Sequence, residues 1–179
     1  RLNINIVACT GWFSQISGMP FYWRFQDVKK YEEKLIRDIT VGIEPNGAKA
    51  GVIKVAVGES TLREREEKGF RAAAHVSQEY GVAICVHTRD GWLDEYPAPL
   101  QALDIMLKEG ANPAKIYMGH LEHIFDKPGE PGSIPQTLPC LVDTQQLEKM
   151  YPMLLQIAQR GANLAFDVVG RYKEFWDKP

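Results

Sequence analysis

Hydrophobic positions along the chain fall into two alternating textures. Five short runs are almost continuously apolar and rich in β-branched residues: "INIVACT" (4–10), "GVIKVAV" (51–57), "VAICVHT" (82–88), "KIYMGH" (115–120) and "NLAFDVV" (163–169). Because polar residues hardly alternate within them, each run predicts a strand buried on both faces. Between them, apolar residues recur every three or four positions over about 27–42, 61–80, 98–109 and 144–160, which predicts four amphipathic helices. Breakers stand where those helices should stop: Gly42 followed by "EPNG", Tyr80-Gly81, "EGANP" from Glu109 and "RGA" from Arg160.

The resulting order, β-α-β-α-β-α-β-α-β, predicts an α/β fold with a parallel sheet and right-handed crossovers. Two stretches are loops by composition: the aromatic-rich "GWFSQISGMPFYW" (11–23) and the Pro/Gly-rich "DKPGEPGSIPQTLP" (126–139). Each follows the C-terminal end of a strand, the side on which parallel α/β folds bind ligands. No internal repeat beyond the βα unit and no linker divides the chain, so residues 1–179 are expected to form a single domain.

Composition changes this picture by exclusion. A formal net charge of −2 gives no electrostatic reason to expect nucleic acid or an anionic membrane as partner. Three widely spaced cysteines, Cys9, Cys85 and Cys140, form neither a disulfide framework nor a zinc-finger pattern. No run approaches the roughly 20 apolar residues of a membrane helix. A cytoplasmic location is the expectation.

Candidate chemistry lies in the few polar residues within or just after the strands: Lys54, His87, His120 and Asp167. Histidine, carboxylate and modified lysine are ligand types for hydrolytic zinc, manganese or iron. A single strand-end histidine is more often structural, and a strand lysine more often snorkels to the rim. Two histidines and a lysine on successive strands would instead converge at the mouth of the sheet. A lysine held inside could serve Schiff-base chemistry, or react with carbon dioxide to give an anionic carbamate that bridges two metals. Paired imidazoles favour the second route. His123 in "GHLEH" reads as a loop residue, His75 as a residue of an amphipathic helix, and Glu122 as a residue supporting the site.

Taken together, "NIVACTGW", "AGVIKVAVGESTLREREEKGFRAAAHVSQEYGVAICVHT", "ALDIMLKEGANPAKIYMGHLEH" and "LLQIAQRGANLAFDVVG" resemble the phosphotriesterase family of the amidohydrolase superfamily. The resemblance implies a (β/α)8 TIM barrel, of which this chain would hold about five βα units corresponding to the third to seventh strands, with two divalent metals, most simply zinc, at its mouth. The family's carboxylated lysine then falls on Lys54, and two histidines ligating one metal fall on His87 and His120. The implied activity is hydrolysis of an ester, lactone or phosphoester by a metal-activated hydroxide, with a small-molecule substrate as partner and a homodimer as a possible assembly. Manganese, iron or cobalt would suit the same ligands.

Departures from the family pattern narrow this reading. The His-x-His of the family's first strand is absent from the 179 residues, and the chain stops before any eighth-strand aspartate, so a longer protein is expected. Where the family's lactonases carry tyrosine and arginine, this chain has Phe13 and Val168. Trp12 and Phe13, with Phe21, Tyr22 and Trp23, would form an apolar wall, and Trp92 with Tyr96 would complete it. Asp167, on the seventh strand, is expected in the pocket or behind the ligands. The alternatives are a Schiff-base lyase using Lys54 and a non-catalytic binding protein on the same barrel.

Overall fold

A computed structural model describes residues 4–16, 18–58, 62–88, 97–121 and 144–167. Strands β1 (Ala8–Gly11), β2 (Ala50–Ala56), β3 (Ala83–His87), β4 (Ile116–Gly119) and β5 (Asn163–Leu164) alternate with helices α1 (Val28–Thr40), α2 (Glu64–Tyr80), α3 (Ala98–Lys108) and α4 (Thr144–Gln159). All four neighbouring strand pairs are parallel, and the spatial order β1-β2-β3-β4-β5 equals the chain order. A doubly wound sheet reverses its order at a switch point. This one runs in a single direction, as an arc of a (β/α)8 barrel does.

The pleat sorts the strand side chains into two environments. Ile53 and Val55 of β2, Ile84 and Val86 of β3, and Ile116 and Met118 of β4 are buried beneath the helices. There they pack with Tyr31 and Leu35 of α1, Phe70 and Val76 of α2, and Leu103 and Met106 of α3. Burying a side chain the size of Phe70 contributes about 2–3 kcal/mol, so this layer holds the strand ends in register. The intervening positions, Val52, Lys54, Cys85, His87 and Tyr117, face the other way and are half-buried.

Burial on both faces, expected from the sequence, therefore holds only for the helix side. No second layer covers the opposite face among the described residues. The first strand is also shorter than expected, because pairing with β2 starts at the Ala8–Ala50 register pair and the exposed residues before it have no described partner strand. β5 is only two residues long and exposed, although Ala165 extends the ladder by donating to Met118 and accepting from Leu121. No helix among the described residues is long and apolar enough to cross a membrane.

Candidate active site

Register places the candidate residues on one face. Lys54 of β2 is the partner of Cys85 on β3, Cys85 the partner of Tyr117 on β4, and His87 the partner of Gly119. Because side chains repeat every two residues along a strand, His87 stands directly beyond Cys85, and His120 follows Gly119 at the end of β4. The Lys54 Nζ donates to Cys85 Sγ at 3.2 Å. Among the described residues no carboxylate forms an ion pair with this lysine.

The backbone at Lys54 also sets the loop after β1. Gly11 adopts φ +134°, and a Cβ there would lie 1.8 Å from the Lys54 carbonyl oxygen, so only glycine permits the approach. One residue later, the Trp12 N–H donates to that same carbonyl at 3.0 Å. From this pivot the two aromatic residues part. Trp12 is 6% exposed and packs against Trp23 and Tyr31, with ring centroids 4.9 and 4.4 Å away. Phe13 is 41% exposed and meets the His87 ring at 4.8 Å. The loop is tied down by the buried Glu66 of α2, whose carboxylate accepts the Gln15 N–H at 2.9 Å.

The two histidines stand together. Their ring centroids are 4.6 Å apart with the planes at 73°. His120 adopts φ +65°, which turns its side chain out of the strand alternation. Its Nδ1 lies 2.5 Å from Asp167 Oδ1, its backbone N–H donates to the same oxygen at 3.2 Å, and the Tyr117 hydroxyl donates to Asp167 Oδ2 at 2.7 Å. Burial pushes the Asp167 carboxyl upward, but the Tyr117 hydroxyl and His120 outweigh it and hold the group below its ordinary value. An ionised carboxylate only accepts, so the His120 Nδ1 carries the hydrogen of this contact; in the neutral form of such a ring the lone pair is on Nε2. The buried Thr88 hydroxyl donates to the Gly119 carbonyl at 2.7 Å and steadies the turn.

Of the residues singled out in the sequence, Lys54, His87, His120, Asp167 and Phe13 thus share one end of the sheet, while Trp12 is committed to the core. Trp92, Tyr96, Glu122, His123 and Val168 lie outside the described residues. His75 is far along α2, held between Glu32 and Glu109 at 2.5 and 2.9 Å. Tyr117, Cys85 and Glu66 were missed. Period-two spacing from Gly119 and His87 could have found the first two, whereas nothing local marks Glu66.

Two close imidazoles and a lysine without a described carboxylate partner suit a nitrogen-plus-carbamate donor set for zinc-like ions. Among the described residues, no three of His, Cys, Asp and Glu form a ligand cluster by themselves.

A profile of the phosphotriesterase family matches residues 1–129. The chain is 35% identical over 119 residues to the aryldialkylphosphatase of Saccharolobus solfataricus, covering 66% of this chain and 36% of that protein. It is 24% identical over 177 residues to the phosphotriesterase homology protein of Escherichia coli, covering 98% and 50% respectively. Among solved structures, the organophosphorus hydrolase from Deinococcus radiodurans superposes with a TM-score of 0.67 at 26% identity, covering 94% of this chain and 44% of that one. The chain thus spans between about a third and a half of the curated relatives it matches.

Proposed function

The chain belongs to the phosphotriesterase family, and from that membership we propose that residues 1–179 form one partial-barrel domain of a metal-dependent hydrolase cleaving an ester, lactone or phosphoester. The observation that carries this reading is the pairing of the His87 and His120 rings at 4.6 Å, with Lys54 on the same face of the adjoining strand.

Lys54, carboxylated by carbon dioxide with release of a proton, would present an anionic bridge. His87 and His120 would ligate one of two divalent ions, zinc being the simplest choice. Bound there, the ions would supply Lewis acidity and a water of lowered pKa. The chain's own residues do the rest. Asp167 fixes the His120 tautomer, and Phe13 offers an apolar wall to the substrate beside His87. The aryldialkylphosphatase and organophosphorus hydrolase among its relatives support a phosphoester or ester substrate.

Elemental analysis of the intact protein, prepared with bicarbonate and without chelator, tests the proposal. About two divalent ions per chain are expected. No bound metal after reconstitution would overturn it, and borohydride trapping with a carbonyl substrate would then test Lys54 as a Schiff-base nucleophile.

A further inference from the structure

Tyr117 has no role in the reading above, yet its hydroxyl occupies a position that decides how the site is set. It is the partner of Cys85 in the β3–β4 register, so it stands on the open face, two strands over from Lys54 with Cys85 between them. Its hydroxyl reaches Asp167 Oδ2 at 2.7 Å, while Asp167 Oδ1 takes the His120 Nδ1 at 2.5 Å. The two carboxylate oxygens are thereby divided between phenol and imidazole.

The backbone is built around this contact. At Gly119, between Tyr117 and His120, a Cβ would come within 2.9 Å of Tyr117 Cε1 and 3.0 Å of Asp167 Oδ2. Any larger residue would push into the space through which phenol and carboxylate meet.

We propose that Tyr117 is a positioning residue: by holding Asp167 Oδ2 it orients the carboxylate so that Oδ1 fixes His120 as the Nδ1-protonated tautomer, with Nε2 as its ligating nitrogen. The inference rests on His120 being a ligand, as proposed above. Without the hydroxyl, the Asp167 carboxylate keeps the His120 backbone N–H on Oδ1 but loses the donor on Oδ2, which loosens a terminal torsion that is broad and roughly two-fold. The imidazole then loses the fixed acceptor that selects its tautomer. Groups behind a metal-ligating histidine act in this way, and their loss typically lowers metal affinity 10–100-fold.

The test uses Tyr117→Phe in the intact protein, a change that keeps the ring and removes only the hydroxyl. The first readout needs no metal: imidazole ¹⁵N shifts of His120 in the apoprotein, followed to rising pH until they no longer change. The unsubstituted protein should show the Nδ1–H form, and the variant a mixture with the Nε2–H form. The second is zinc titration, in which the variant should bind one equivalent about tenfold more weakly. In a double-mutant cycle, Tyr117→Phe should add little in the Asp167→Asn background, because Tyr117 acts through Asp167. An unchanged tautomer in Tyr117→Phe, or additive effects in the cycle, would overturn the inference. If neither protein takes up metal, the hydrolase reading fails, and the tautomer readout still decides the role of Tyr117.

Discussion

The Phe13 and His87 rings meet at 4.8 Å with 63° between their planes, which places an exposed apolar side chain against one of the two strand-end imidazoles. Phe13 is delivered there by the Gly11 pivot and the Glu66 anchor, not by its own burial. In the proposed site that ring would face the substrate. Phe13→Ala should raise the KM for a substrate with an aryl or long alkyl group about fivefold, the equivalent of about 1 kcal/mol of aromatic contact. The KM for a small polar ester should hardly change. Equal KM changes for both substrates would remove Phe13 from the pocket wall.

Lys54 carries the second prediction. Lys54→Met keeps the length and apolar stem of a half-buried strand residue, so the sheet should survive. Metal content should nevertheless fall, together with more than about a 100-fold loss of activity, since losing even a residue behind a metal ligand costs 10–100-fold. Metal uptake by the unsubstituted protein should also depend on bicarbonate. Full metal occupancy in Lys54→Met would exclude the bridging role.

Much of this architecture was readable in the sequence because the signals were local. The β-branched runs gave five strands in the right order, and the breakers at Gly42 and Gly81 stand next to the observed helix ends. His87, His120 and Lys54 stood out as rare polar residues in apolar runs. Tertiary register was not readable. That Asp167 meets His120 and Tyr117 depends on β5 lying beside β4, 47 and 50 residues away in the chain. Trp12 and Phe13 are adjacent and both aromatic, yet after the turn at the Lys54 carbonyl one is in the core and the other is exposed beside His87.

Gly119 shows the same dependence and gives a third prediction. The Cβ added by Gly119→Ala would crowd the Tyr117 ring and the Asp167 carboxylate, and it would lie 3.2 Å from the Val86 carbonyl oxygen, which belongs to a paired strand. The side chains can yield by parting, while the backbone yields little. A stability loss of about 1–3 kcal/mol is expected by urea denaturation. It should shrink when Tyr117 is already alanine, because one of the crowded groups is then gone. A stability loss of the same size in both backgrounds would show that the Val86 carbonyl, not the Tyr117 contact, sets the requirement for glycine.

Tyr31 provides a pH signature of the aromatic core. It is fully buried, and its hydroxyl donates to the Trp23 carbonyl at 2.6 Å. Burial raises the phenol above its ordinary value, against a smaller opposing effect of Arg65. The unfolded chain therefore gives up this proton first, near pH 10. The native state then holds more protons than the unfolded one, so the Tyr31 contribution to stability falls as pH rises. It is complete below about pH 10 and is lost progressively as pH climbs through the higher folded value. Tyr31→Phe should cost about 1 kcal/mol at pH 8, where only the hydrogen bond is removed. At pH 11 the gap between variant and unsubstituted protein should narrow or reverse, because phenylalanine has no proton to lose. Urea midpoints at the two pH values measure the difference directly, and a gap that stays constant would mean the phenol is not protected in the folded protein.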